Sequence, residues 1–296
     1  MIGRELIREL RDHGHGVVVL SRNPAEKEVP GEVEMVKWDA ESAEGWISEV
    51  ERSGAIVNLA GENIAGSGLL PDRWTEHKKR RILDSRLKAG RAVNEAVEAA
   101  DSPPDVVIQA SAVGYYGTNE DRLFTEEASA GTDFLAGIAE EWEDVSLPLE
   151  DLGVRRVVIR TGVVLSPEGG VLPRLLLPHR FFLGGPLGSG KQPYSWIHVK
   201  DEVRAIRFLL ESEGASGPFN LTAPNPRSNQ AFARQLGKVL GRPSFFRVPG
   251  FLIRVLLGEA AIMVLQGQRV EPARLKDLGF EFRFPELEEA LSDLVS

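Results

Sequence analysis

The chain has 296 residues, 42% of them hydrophobic, which is enough for one large α/β domain or two lobes around a substantial core. A net charge of -9 argues against nucleic acid or an anionic membrane as the main partner, and the absence of cysteine excludes disulfides, a thiol nucleophile and thiolate metal sites. No apolar run approaches the roughly 18 residues of a membrane span, and Met1 leads into a charged helix rather than a signal peptide, so a cytoplasmic protein is expected.

Leu6, Ile7 and Leu10 share one helical face, which predicts an amphipathic helix over 3–12 closed by Gly14. Val17 to Leu20 is a short β-branched run of the kind found in buried parallel strands. A helix feeding a strand that ends in Ser21-Arg22 reads as the second half of a βαβ nucleotide-binding unit. An acidic residue at that strand end would accept from ribose hydroxyls, whereas Arg22 offers charge to a 2′-phosphate. The alternative is a solvated surface arginine. Val33 to Asp39 alternates like a strand, and Ser42 can cap a helix through about Glu51. An apolar strand over 55–59 then ends in Asn58-Leu59-Ala60-Gly61, where Gly61 can take dihedrals closed to other residues.

Residues 71–100 read as one long helix or two joined ones, with Arg81, Ser85 and Arg86 near its middle. Pro103-Pro104 breaks the chain before a strand over 105–109, which runs into Ala110-Ser111-Ala112-Val113-Gly114-Tyr115-Tyr116-Gly117. A helix containing Phe134 to Glu143 follows, then a β-branched strand over 154–160 and Thr161-Gly162-Val163-Val164-Leu165. Gly185 to Gln192 nearly matches a phosphate-binding loop, but Gln192 stands where a magnesium-binding hydroxyl is needed and Pro193 forbids a regular helix from Lys191, so it reads as a plain loop. Trp196-Ile197-His198 leads into a helix over about 199–212, and Phe219-Asn220-Leu221-Thr222-Ala223-Pro224 is a strand entering a turn. Ser228 or Asn229 caps a helix through Leu240, stopped by Gly241-Arg242-Pro243. Apolar helices over 251–265 and a last helix over about 285–294 complete the chain. The five histidines are scattered, with no metal-ligand spacing among them, so no metal is expected.

Taken together, these motifs resemble the extended short-chain dehydrogenase/reductase superfamily, and more closely its epimerase-like family 39U. The most specific matches are Ser111 to Gly117, Trp196 to Asp201 and Phe219 to Pro224, and the resemblance covers the whole chain. Met1-Ile2-Gly3 lines up with the end of the family's Gly-x-x-Gly-Phe-Ile-Gly. The first strand and the first two glycines are absent from the sequence as given, which is read as a start assigned too late. The resemblance implies an α/β, Rossmann-like doubly wound parallel sheet with a smaller C-terminal substrate lobe. It places an NADP-binding unit at 1–161 plus 196–217 and the substrate lobe at 162–195 and 218–296. It also implies NADP(H) as cofactor, contacted by Gly3, Ser21, Arg22, Asn58, Leu59, Ala60, Gly61, Arg81, Arg86 and Val164.

In the superfamily the serine matching Ser111 orients a substrate oxygen, while a Tyr-x-x-x-Lys pair moves the proton. The helix over 134–143 holds neither tyrosine nor lysine, a loss that the family shares together with its Trp142-Glu143. Tyr115 and Tyr116 beside Ser111 are the remaining proton donors; alternatively they only shape the pocket. His198 is read as structural rather than catalytic. The expected activity is oxidation or reduction, or an epimerase-like step, on a small molecule, by a monomer or homodimer; the alternative is a non-catalytic NADP-binding sensor or scaffold. In this topology the missing strand lies mid-sheet, so two neighbouring strands are expected to lack a partner and the cofactor to bind weakly.

Overall fold

The structure, a computed structural model, describes residues 1–26, 31, 33–66, 68 and 70–295. The first half alternates helices and strands: α1 (Ile2–Asp12), β1 (Val18–Ser21), β2 (Glu34–Lys37), α2 (Ile47–Glu51), β3 (Ala55–Asn58), α3 (Glu76–Ala99) and β4 (Val106–Ala112). Next come β5 (Asn119–Phe124), α4 (Phe134–Asp144), α5 (Pro148–Asp151), β6 (Arg155–Thr161), β7 (Val163–Ser166), β8 (Gly169–Gly170) and α6 (Leu172–Arg180). Then follow β9 (Pro193–Tyr194), β10 (Trp196–His198), α7 (Val199–Glu211), β11 (Gly217–Leu221), β12 (Arg227–Ser228) and α8 (Asn229–Leu240). The chain closes with α9 (Gly250–Leu257), α10 (Ile262–Leu265), β13 (Gln268–Val270), α11 (Ala273–Asp277) and α12 (Leu287–Val295).

The architecture is α/β, with a parallel sheet of Rossmann type. Four strands pair in the order β11-β6-β4-β3, all parallel, as crossover helices require. The pattern of β4 shows why both faces are covered. Val106, Ile108 and Ala110 enter one core with Leu6 and Leu10 of α1 and Val203 and Ile206 of α7. Val107 enters another with Val93 and Ala96 of α3 and Leu149 of α5. A strand buried on both sides reads as a continuous apolar run, as this one does.

β1 and β2 form a separate parallel pair. Among the described residues β1 pairs only with β2, and β3 only with β4, so each keeps one open edge. Most helix boundaries are close to those expected, and real caps are present: Thr75 accepts from Lys78 N at 3.2 Å, and Ser228 accepts from Ala231 N at 3.2 Å. Ser42 does not cap α2, which begins only at Ile47, because the Ser42 hydroxyl is donated to Asp39 instead. The parallel pairing of β5 with β13 was not foreseen. One boundary needs correction. Residues 218–221 were assigned to the second lobe, but β11 pairs along its whole length with β6, from Gly217 beside Val157 to Leu221 beside Thr161. The central sheet therefore continues to Leu221.

Candidate functional site

The carboxyl ends of parallel strands are where α/β sheets bind ligands, because the connecting loops diverge there and the ends of helices point in. Here a cavity of about 490 Å³ is lined by Ser21, Arg22, Asp39, Leu59, Ala60 and Gly61, with Lys88 on its far wall. Five of the expected cofactor residues thus come together: Ser21 and Arg22 after β1, and Leu59, Ala60 and Gly61 after β3. A second cavity, of about 410 Å³, lies beside Arg155 and Gly217 at the amino ends of β6 and β11 and shares none of these residues.

The turn after β3 is built from its own side chains. Asn58 is buried; its Nδ2 donates to Gln109 Oε1 at 3.0 Å, and its Oδ1 accepts from Ala60 N at 3.1 Å. Asn58 therefore shapes the turn from below. A Cβ on Gly61 would lie 3.2 Å from Arg86 Cζ, so the residue is glycine because the guanidinium packs directly behind it. Arg86 is buried, donates to the carbonyls of Ile82 at 2.8 Å and Glu62 at 3.1 Å, and lies 4.5 Å from the Trp142 ring centroid. Burial pulls its pKa down to about 10, against the pull of Glu62. Arg86 is thus a buttress for residues 61–62. Arg81 donates to Glu62 Oε1 at 2.7 Å, beside Lys78 at 2.9 Å, and the Lys78 bond leads in holding the Glu62 carboxyl below its ordinary range.

At the mouth of the cavity, Asp39 accepts from Glu41 N, Ser42 N and the Ser42 hydroxyl, and these bonds, the Glu41 amide first, hold its pKa down. Arg22 is exposed, and Lys88 reaches Glu41 at 2.9 Å. Glycine at the turn and a cation at the strand end fit a dinucleotide with a 2′-phosphate. Gly3 and Val164 do not join this group. Gly3 sits in α1 with open space around it, and Val164, on β7, points into the core.

The second centre lies two residues further along the sheet. Ser111 of β4, Arg160 of β6 and Asn220 of β11 stand side by side in register across three strands. Arg160 grips Glu143 of α4 with two bonds, Nε to Oε1 at 2.8 Å and NH2 to Oε2 at 2.7 Å. The Ser111 hydroxyl donates to Glu143 Oε1 at 2.6 Å. Arg160 NH1 donates to the Tyr116 hydroxyl at 3.0 Å, and that hydroxyl donates to Asn220 Oδ1 at 2.6 Å. Burial opposes the charge on Arg160, but Glu143 outweighs it and keeps the guanidinium charged.

Two of the expected proton donors are thereby separated. The Tyr116 phenol is buried and both of its hydrogen-bonding roles are taken; burial, partly offset by Arg160, pushes its pKa up to about 12. Its expected part as a proton donor does not fit those surroundings, and it reads as the wall that holds Arg160. Tyr115 is half-buried, its ring lies 3.5 Å under the Arg160 guanidinium, and its hydroxyl makes no hydrogen bond to a described residue. Sequence reasoning missed Arg160 and Asn220. The signal was there in Val157-Val158-Ile159-Arg160: a charge inside an apolar strand demands a buried partner, and Glu143, buried one residue before the end of α4, is the matching anomaly.

The model of the NAD dependent epimerase/dehydratase family matches residues 1–222. The chain belongs to that family. A domain of unknown function, DUF1731, matches residues 248–294. The epimerase family protein YfhF of Bacillus subtilis (strain 168) is 40% identical over 296 residues, covering 100% of this chain and 95% of that protein. The chloroplastic SDR39U1 homolog of Arabidopsis thaliana is 41% identical over 299 residues, covering 98% of this chain and 82% of that protein. Among solved structures, human epimerase family protein SDR39U1 (isoform 2) with NADPH aligns with a TM-score of 0.88 at 34% identity, covering 99% of this chain and 95% of that one. The expected membership of the extended short-chain dehydrogenase/reductase superfamily, beside the SDR39U1 proteins, is thus met.

Proposed function

We propose that the chain is an NADP(H)-dependent oxidoreductase of the epimerase-like type, acting on a small molecule. The observation that carries this reading is the cavity where Ser21, Arg22 and the Leu59-Ala60-Gly61 turn converge at the carboxyl ends of β1 and β3. The human relative of the same fold was solved with NADPH. Arg22 and Ser21 would hold the 2′-phosphate, and the backbone at Ala60 and Gly61 would lie along the ribose and pyrophosphate. When bound, the nicotinamide supplies or accepts the hydride.

The chain's own residues would handle the substrate. Ser111 has its one proton on Glu143, so its oxygen is left as an acceptor and orients a substrate hydroxyl. Tyr115, with an unengaged phenol on a ring stacked against the same Arg160, would exchange the proton. Arg160 fixes both, through Glu143 and through the face of the Tyr115 ring.

A second reading is favoured by the same closed network: a non-catalytic NADP-binding sensor, because a serine committed to Glu143 and a missing Tyr-x-x-x-Lys pair leave little proton chemistry. Titration with NADPH and NADH, followed by turnover of bound cofactor against a panel of carbonyls and alcohols, separates the two. Turnover lost in Ser111→Ala and Tyr115→Phe supports the enzyme. Tight NADPH binding with no turnover across the panel supports the sensor, and no binding of either nucleotide sinks both.

A further inference from the structure

Five of the chain's thirteen phenylalanines are exposed, and all five lie in two adjoining segments: Phe181, Phe182, Phe245, Phe246 and Phe251. The segments are laced together. Gly184 bridges Ser244, Phe246 N donates to Gly184 O at 3.1 Å, and Val248 N donates to Pro186 O at 3.1 Å. A Cβ on Gly185 would come within 2.3 Å of the Phe246 carbonyl, so the contact is close. The helix α9 continues the same surface. Ile253 and Leu257 turn inward onto the cluster of Trp74 and Ile82, which leaves Val255 at 68% and Leu256 at 57% exposure facing water. A helix whose only charge is Arg254 is normally covered on more than one side. This one is covered on one side, and an exposed apolar patch of this kind marks an interaction surface.

The charge around the patch is one-sided. Residues 172–191 and 229–258 contain eight lysines and arginines and no acidic residue, in a chain whose net charge is -9. Arg180, Arg242, Arg247 and Arg254 are exposed there. Arg242 lies 4.4 Å from the Phe182 ring centroid, and Arg247 donates to the carbonyls of Gly188 and Ser189. The bordering carboxylates are already engaged, Glu259 by Lys79 and Glu288 by Lys238.

We propose that this face docks the protein on an anionic lipid surface, with the phenylalanines and α9 entering the boundary between headgroups and acyl chains and the four arginines meeting lipid phosphates. Protruding aromatic and aliphatic side chains beside an acid-free arginine rim are the composition of interfacial anchors. The side chains stand out at 68% for Phe181, 69% for Phe245 and 63% for Phe251, which suits a fluid partner. A second copy is disfavoured, because a two-fold contact would set this arginine rim against itself. The negative net charge does not oppose docking, since charges more than about 8 to 10 Å away are largely screened at physiological salt.

The test is flotation of the full chain with phosphatidylcholine vesicles, with and without phosphatidylglycerol, across a salt series. Binding is expected only with phosphatidylglycerol and falls with salt. Phe251→Ser with Phe182→Ser abolishes it, and each of Arg180→Gln and Arg254→Gln lowers partitioning about fivefold. The arginine variants, at exposed positions, keep the wild-type unfolding midpoint and NADPH titration and so carry the test if the phenylalanine variant misfolds. Two results overturn the proposal: no flotation with phosphatidylglycerol at low salt, or a concentration-dependent dimer in sedimentation that the same variants dissolve.

Discussion

Glu143 and Arg160 form a bidentate pair almost out of reach of water, and such a pair is strongly destabilising to break yet adds little when left whole. Glu143→Gln removes the charge that Arg160 was buried against and should cost about 3 to 5 kcal/mol, read as the shift in urea midpoint. Ser111→Ala removes one hydrogen bond to a carboxylate and should cost about 1.5 to 3 kcal/mol. If Glu143→Gln proves no worse than Ser111→Ala, the guanidinium is not held as described. Arg22 makes a prediction of a different kind. It is exposed, so Arg22→Ser should leave the unfolding midpoint unchanged while weakening NADPH at least tenfold and NADH hardly at all, because only the former has a phosphate for it to meet. Equal losses for the two nucleotides would remove Arg22 from that role. The place of Arg22 on the cavity wall was legible because it ends a strand of the parallel sheet; Arg160 was not legible, because its partner lies on another element and the sequence shows only that a charge needs one.

Strands, helices and caps were legible where a local cause suffices: the apolar runs of β4 and β6, and Ser228 before α8. Pairs between short, distant strands were not, since β5 (Asn119–Phe124) is polar and exposed along most of its length and becomes a strand only because β13 lies beside it. The placement of Tyr116 failed for the same reason. Two adjacent tyrosines look equivalent in sequence, and only the three-strand row of Ser111, Arg160 and Asn220 decides which phenol is engaged. The open edges of β1 and β3 have a measurable consequence. A strand amide without a ladder partner exchanges readily, so about half the amides of Val18–Ser21 and Ala55–Asn58 should exchange far faster than those of β4 and β6, which are paired on both sides. Uniform protection across all of these strands would mean that the edges are covered.

Across the whole molecule negative charge predominates while the face around α9 is basic, so the total charge does not describe each surface. The same distinction between total and local charge governs stability against pH. Glu202 is fully buried, takes a bond from the Thr161 hydroxyl at 2.7 Å, and is pushed by burial up to about 8. Its folded form keeps a proton that the unfolded chain loses above about 4.5, so stability falls as pH rises from about 4.5 to 8. His198 runs the other way. It is buried, its Nδ1 accepts from Lys200 N, and burial, despite Asp293 at 3.2 Å, pulls it down to about 4. The unfolded chain binds a proton there below about 6.5 that the folded form refuses, so stability falls as pH drops from about 6.5 to 4. Between about 4.5 and 6.5 the two slopes cancel. Above 6.5 nothing from His198 opposes Glu202, and burial raises Glu126 in the same direction. Urea midpoints should therefore be flat from pH 5 to 6.5 and then decline by about 1.4 kcal/mol per unit toward pH 8. Glu202→Gln should shrink that decline to the part left by Glu126 and uncover a rise in stability from pH 5 to 6.5, the part due to His198. A variant with an unchanged profile would show that Glu202 is ionised in the folded protein, with water or a cation reaching its second oxygen.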